Sequence, residues 1–312
     1  MTHAIVGRLA VSLAVVWAVM TLVFLAQHTL PSDPARVMAG AQARPDDVAR
    51  IRVQLGLDRP LWVQYGAYMG RLVRGDLGTS FQRRQPVSKV LAERLPNTIM
   101  LALAATTLQV TLGAAAGILA ALRRGRLLDH GTIALTLVGI SAPTFLTGLL
   151  LQYWLAYRLR WLPLDGIGTS SSEQLRSIVL PALTLGLFGA AYYARFVRDE
   201  MIVILNQDYV RTAIAKGLPR WRVVMVHGAS NALMPLLTII GMDLGAMMGG
   251  AIVTEKLFRW PGIGSLSVDA VLARDAPLVM GIVLITSVAI VTANLVVDLL
   301  YAVLDPRVRR AR

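Results

Sequence analysis

Tyr209-Val-Arg-Thr-Ala-Ile-Ala-Lys-Gly217-Leu-Pro219 lies inside a charged interruption, Arg195 to Asn231, that separates two long apolar segments of the chain. The stretch sets small alanines at alternate positions, carries two cations, and ends in Gly and Pro as punctuation. Gly217 suits the C′ position that closes one short helix, and Pro219 suits the first turn of the next. A helix–Gly–helix elbow is therefore expected. Ala213, Ala215 and Gly217 would let another protein approach closely, while Arg211, Lys216, Arg220 and Arg222 favour an acidic or polar docking surface.

Composition defines what this elbow interrupts. Of 312 residues, 55% are hydrophobic and 16% charged, a balance that points away from soluble domains and toward an integral membrane protein. Aromatic residues are few, so the apolar bulk is Leu, Val, Ala and Ile, as membrane helices prefer. Cysteine is absent, which excludes thiolate catalysis, disulfide scaffolds and Cys-ligated metals. The formal charge of +13 does not indicate nucleic acid, because the cations flank apolar spans instead of forming a stripe interleaved with aromatics. Juxtamembrane anchoring accounts for them.

Crossing the hydrocarbon layer takes roughly 20 predominantly apolar residues in a helix. Six segments qualify, at about 9–29, 97–121, 132–157, 178–197, 232–254 and 278–303, so an all-α membrane bundle is expected. The first has the position of a signal peptide. Its apolar run from Leu9 to Ala26 is long, however, and ends in Gln27-His28-Thr29-Leu30-Pro31 where a small-x-small cleavage site would stand, so an uncleaved span is expected. With the N-terminus inside, the inner flanks hold fourteen Lys and Arg, and the short outer loops, about 158–177 and 255–277, hold six. That bias places both termini and the elbow in the cytoplasm. The 31–96 segment is too long for its arginines to set orientation; it shows amphipathic patterns over Asp46–Gly56 and Leu61–Leu72, then a Gly75-Asp-Leu-Gly78 turn. The chain thus divides into 1–96, a first span with a small extracytoplasmic layer, and 97–306, a five-span core.

Polar groups at membrane depth are costly and so become functional candidates. Asp243, Gln152 and Asn294 are the candidates for a translocation path, with Gln109 a further polar position. Two readings of Asp243 stand side by side: it faces a water-filled path, or it makes a structural hydrogen bond within the bundle. Asn294 also suits interhelical bonding, and Asp298 suits pairing with arginine near the inner surface. Gly241, Gly245 and Gly249 form overlapping Gly-x-x-x-Gly units, a helix-packing signal with no chemistry of its own. Pro143 should kink the third span.

Other chemistry is missing from the sequence. There is no Gly-x4-Gly-Lys-Ser/Thr phosphate loop, so the chain is not expected to hydrolyse nucleotide by itself, and no His-Glu-x-x-His pair, so no metal site is expected. Two competing readings remain. Ser141 of Gly139-Ile-Ser141-Ala would serve a membrane-embedded hydrolase, although no histidine lies in a span to activate it. Asp243 would serve an ion-coupled carrier.

The chain resembles the first permease subunit of bacterial oligopeptide/dipeptide/nickel ABC importers, the OppB/DppB type. The likeness runs through Leu30-Pro31-Ser-Asp33-Pro34-Ala, Leu55-Gly-Leu-Asp58-Arg-Pro60-Leu, Gly75-Asp-Leu-Gly78-Thr-Ser-Phe81, Pro86-Val87 and Arg94-Leu-Pro96-Asn-Thr98. It continues through the elbow, which is similar to the EAA loop, then Asn231-Ala-Leu-Met-Pro235, Thr254-Glu255-Lys-Leu-Phe258-Arg-Trp260-Pro261-Gly262-Ile-Gly264, and Asp298-Leu-Leu-Tyr301-Ala-Val-Leu-Asp305-Pro306-Arg307. Two departures stand out. Arg211, Thr212 and Ala213 replace the general Glu-Ala-Ala, and His227-Gly-Ala-Ser230 replaces Ile-x-Leu-Pro, which leaves the elbow's second half less sharply defined.

That resemblance implies a type I importer fold in the bacterial inner membrane. The coupling set would be Tyr209, Arg211, Thr212, Ala213, Ala215, Lys216, Gly217 and Leu218. The implied partners are a second homologous permease (OppC/DppC type), two ATP-binding subunits and an extracytoplasmic binding protein, with membrane lipid around them. The chain itself would bind no cofactor; ATP and Mg would sit on the partner subunits. The implied solute is a di- or oligopeptide, with nickel or haem-like ligands as the alternative.

Overall fold

The computed structural model describes residues 2–29, 33–40, 42–248 and 251–304. Among these residues every regular element is helical, and the only strand-like pairing is an isolated bridge between Thr79 and Pro86. The long apolar run becomes α1 (Thr2–Thr29). Asp33 then caps α2 (Pro34–Ala39) by accepting from the Ala35 amide, with Pro34 at the first helical position. The two amphipathic patterns become α3 (Pro45–Gln54) and α4 (Leu61–Val73).

The membrane helices are longer than their apolar cores. The second expected span is the middle of α5 (Val87–Leu122), which runs through Pro96. The third is broken, not merely kinked: α6 (Leu127–Ser141) and α7 (Thr144–Leu151, continued by a π-helical segment Gln152–Arg158) meet at 103°. Pro143 causes the break by holding Ala142 in an extended conformation (φ −79°, ψ 130°), the geometry favoured before proline. The fourth is α8 (Ser171–Leu205), opened by a capping box of Ser170 and Glu173. After α9 (Asp208–Ala215) come α10 (Arg220–Arg222), a π-helical segment Val223–Ala229 and α11 (Ser230–Met248), which together make the fifth span. That span begins earlier than expected, at Arg220, and its described part runs to Met248. Short helices α12 (Ile252–Leu257) and α13 (Ile263–Leu272) precede α14 (Ala276–Leu304). Among the described residues five helices are long and apolar enough to cross a membrane, and the bent α6–α7 pair makes the sixth.

By packing, the chain forms two compact units, 1–98 with 248–252 and 261–292, and 99–247 with 253–260 and 293–312. In the first unit, Val87, Val90 and Leu91 of α5 pack on Ile263, Leu266 and Ala270 of α13 and on Leu278 and Ile282 of α14. A second cluster joins Met20 and Phe24 of α1 to Tyr68 of α4. Asp275, fully buried, accepts from the Ser80 hydroxyl (2.5 Å) and from the amides of Phe81, Gln82 and Leu278. One carboxylate thereby ties the 79–86 loop to the start of α14.

The second unit is organised by backbone-to-backbone contact between α5 and α8. A Cβ on Gly113 would lie 2.5 Å from Tyr193 Cβ, and one on Gly117 would lie 2.5 Å from the Ala194 carbonyl oxygen. Gly186 and Gly189 of α8 receive Leu108 and the Gln109 amide in return. The paired positions rise together along both helices, so α5 and α8 run in the same direction. Without glycine these helices would have to separate. Gly117→Leu should therefore lower the stability of the detergent-solubilised chain by about 1–3 kcal/mol, read as a fall in thermal unfolding temperature. Gly70→Ala, inside α4 where a Cβ meets nothing within 4 Å, should not lower stability and should raise it by up to about 1 kcal/mol.

Candidate functional site

The elbow is built around its closing turn. α9 ends at Ala215 with Lys216 as its C-cap, and Gly217 follows with φ +78°, a left-handed conformation open to glycine without a steric cost. The Gly217 amide donates to Ile214 (2.9 Å) and the Leu218 amide to Ala213 (3.3 Å), the two reversed bonds of a Schellman motif. Leu218 then folds back onto Val210, Ala213 and Val223. Pro219 sits one residue before α10, as its cap, and not in the first turn as expected. The second arm is likewise not a separate short helix. It is the start of the fifth span, and the π-helical segment stands where the sequence departs from Ile-x-Leu-Pro. Ser230 bonds through its hydroxyl to the Met225 carbonyl five residues back, and the Asn231 amide group donates to His227 O at 2.8 Å. Asn231 also donates to the Tyr209 hydroxyl (3.3 Å), which holds α9 against this segment.

The predicted coupling residues divide accordingly. Tyr209, Arg211, Thr212, Ala215, Lys216 and Gly217 are exposed. Ala213 is buried against Val210 and Val223, which removes it from the expected docking surface; Leu218 is half-buried and closes the turn. Two exposed apolar residues that sequence reasoning passed over, Ile214 at 59% and Trp221 at 67%, stand on the same elbow. Trp221 was legible as a large aromatic residue set between Arg220 and Arg222 at the start of the fifth span.

A second missed feature braces the end of α8. Arg198 grips both carboxylate oxygens of Asp129, at 2.5 and 3.0 Å, and its third nitrogen donates to Asp199. Asp129 also accepts from the Gly125 amide (2.9 Å), so the α5–α6 turn is fastened to α8 two turns before the elbow. Asp129 is 3% exposed, so the bidentate pair is well shielded.

The path candidates are not gathered into one site. Asp243 accepts from the Tyr193 hydroxyl at 2.7 Å, and Tyr193 is fully buried between α5 and α8. Gln152 donates to the Leu164 carbonyl (2.9 Å), which pins the loop after α7. Asn294 is exposed on α14. Gln109, fully buried, donates to the Leu185 carbonyl, and its oxygen has no partner among the described residues. Gly241 is buried, and a Cβ there would overlap Val297 of α14; Gly245 is buried as well. Gly249 and the Asp298 side chain lie outside the described residues. No group of three His, Cys, Asp or Glu among the described residues could hold a metal ion.

Comparison with known proteins gives this geometry its context. Residues 113–310 match the family described as binding-protein-dependent transport system inner membrane component, and residues 1–102 match its N-terminal companion. The chain belongs to this family. As a permease it is 43% identical over 312 residues to a Brucella abortus (strain 2308) protein named for a peptide transport system permease, covering 99% of each chain. It is 41% identical over 309 residues to the glutathione transport system permease protein GsiC of Escherichia coli O6:H1, again across 99% of each. A solved inward-facing structure of the MetNI methionine ABC transporter aligns with a TM-score of 0.57 at 15% identity, over 70% of this chain and 97% of that one, and shares its fold. The permease is thus an integral membrane component of an ABC importer, and neither the hydrolase reading of Ser141 nor the carrier reading of Asp243 is favoured.

The Arg198–Asp129 brace is open to a direct test. Arg198→Met leaves the Asp129 carboxylate buried with one amide donor and should cost about 3 kcal/mol or more. Adding Asp129→Asn should recover most of that loss, because no charge then remains unpaired. Unfolding of the purified permease in detergent, followed for both single variants and the double, reads the difference.

Proposed function

We propose that this permease forms the translocation path for short peptides, glutathione among them, and that α9 is where ATP hydrolysis on other subunits is coupled to it. The peptide class rests on the names of the full-length relatives; a nickel or haem-like solute finds no support in them. In this reading the permease pairs with a second homologous permease, two ATP-binding subunits and an extracytoplasmic binding protein. It lies in the bacterial inner membrane with both termini and the elbow in the cytoplasm, hydrolyses no nucleotide itself, and leaves ATP and Mg to its partners.

The observation that carries the coupling role is the closed elbow with an exposed outer face. Val210, Ala213, Leu218 and Val223 fix α9 on the body of the second unit, while Arg211, Thr212, Ile214, Ala215, Lys216 and Trp221 point away from it. Arginine and tryptophan are the residue types that dominate protein interfaces. Closure of the ATP-binding subunits would push this face, and a short rigid helix can pass such a displacement to the spans on either side of it. The Arg198–Asp129 brace would carry part of that load into α6. Asp243, bonded to Tyr193, would act in this scheme by holding α11 to α8, and Gln152 and Asn294 remain proposed contacts along the path.

Gly217→Arg separates folding from coupling. A Cβ at Gly217 meets nothing within 4 Å, and Arg160, Arg259 and Arg274 already occupy positive φ in this chain. The backbone should therefore tolerate arginine at a cost on the order of 1 kcal/mol, and the permease should insert and unfold normally. Bulk and charge on the outer face should nevertheless abolish ATP-coupled peptide uptake by reconstituted vesicles carrying the whole importer. Uptake at the wild-type rate would remove the elbow from the coupling path.

A further inference from the structure

The first unit carries a half-open cavity of about 1630 Å³ that plays no part in the coupling proposal. It lies where the end of α1 meets the start of α14, a junction held by a hydrogen bond from the Gln27 side chain to the Ala276 carbonyl (3.1 Å). Its apolar wall includes Phe24, Tyr68 and Met280, with Phe24 and Tyr68 stacked at 5.6 Å. Its other wall is basic. Arg52, Arg59, Arg71, Arg74 and Arg84 all line it, against two carboxylates, Asp33 and Asp76.

Those charges do not cancel within the protein. Asp33 is taken by Arg52 at 2.6 Å, and Asp76 accepts from the Gly78 amide. Arg59, Arg71, Arg74 and Arg84 make no ion pair among the described residues. Arg84 is held there at φ +52°, a conformation that costs a non-glycine residue energy and is kept by the Arg84 amide bonding the Ser80 carbonyl (3.0 Å). Tyr68 adds an independent sign: it is 9% exposed, and its hydroxyl has no hydrogen-bond partner among the described residues. Burial pushes that phenol up to about 12, with the nearby Arg71 charge opposing, so it stays protonated and able to donate.

We propose that this cavity binds an anionic phospholipid, with the phosphate against Arg71, Arg74 and Arg84 and the acyl chains along Phe24 and Met280. The volume exceeds the roughly 300–1,000 Å³ of sites for small ligands, and one apolar wall beside one cationic wall matches an amphiphile at the level of helix ends. Guanidinium groups suit phosphate because they can donate two parallel hydrogen bonds to it. Nothing in the site involves the elbow, so it stands or falls separately from coupling.

The test is retention of lipid by the purified full-length chain, measured by native mass spectrometry after exposure to vesicles of phosphatidylglycerol or of phosphatidylcholine. One phosphatidylglycerol should stay bound under conditions that strip phosphatidylcholine. Arg71→Gln with Arg74→Gln should weaken that retention on the order of 10- to 30-fold, the loss expected for two basic residues at an anionic surface. Arg71→Lys with Arg74→Lys should keep most of it, and Tyr68→Phe should weaken it by a smaller factor. Equal thermal unfolding of all variants in phosphatidylcholine nanodiscs would show that folding is not the cause. Equal retention of both lipids, no change in the Gln double variant, or displacement by millimolar inorganic phosphate would each overturn the assignment, the last by showing a site for small anions.

Discussion

The contact of α5 on α8 through Gly113 and Gly117 is the constraint on which the second unit depends. Inside a bilayer the hydrophobic effect does not hold helices together, since lipid tails are as apolar as leucine. Close packing does, and it requires the backbones to come within reach. Once they do, Tyr193 is buried against Gly113 and its hydroxyl is directed to Asp243 on α11. Further along α8, Val197 lies against Gly117, and the next residue, Arg198, reaches Asp129. One helix thus carries the tight contact, the buried polar bond, the ion-pair brace and, at its end, the elbow.

Three carboxylates show how this protein uses charge. Asp275 organises a loop, Asp129 braces a turn and Asp243 bonds a phenol; each is met by a side-chain donor from a different segment of the chain. An acidic group at membrane depth invites a transport role on cost alone, yet a satisfied one can serve as a rivet. The arginines behave differently. In the first unit several, Arg59, Arg71, Arg74 and Arg84 among them, make no ion pair among the described residues beside a large cavity, so the positive charge there is concentrated instead of neutralised.

The elbow combines rigidity with exposure. Its inner face is closed by apolar packing and by the paired reversed bonds at Gly217, which join it to the first turns of the fifth span. Its outer face keeps cations, a threonine and two large apolar residues in solvent. A helix of this length would not persist by itself in water; tertiary packing holds it in place.

Much of this was legible in the residues. Apolar run length set the number of spans, because the hydrocarbon thickness imposes it. Pro143 announced the break in the third span, and Gly217 the end of α9, because proline and glycine act through local backbone geometry. Helix ends, by contrast, were drawn too short: α5 and α8 continue well past their apolar cores, since hydrogen bonding propagates a helix into water where hydropathy falls silent. Ala213 was placed on the docking face because composition records which residues are small, not which way they point. The side-chain partners of Asp129, Asp243 and Asp275 (Arg198, Tyr193 and Ser80) lie 50 or more residues away. Pairing over such distances depends on which helices the glycines allow to meet, and a single sequence does not encode that in any local pattern.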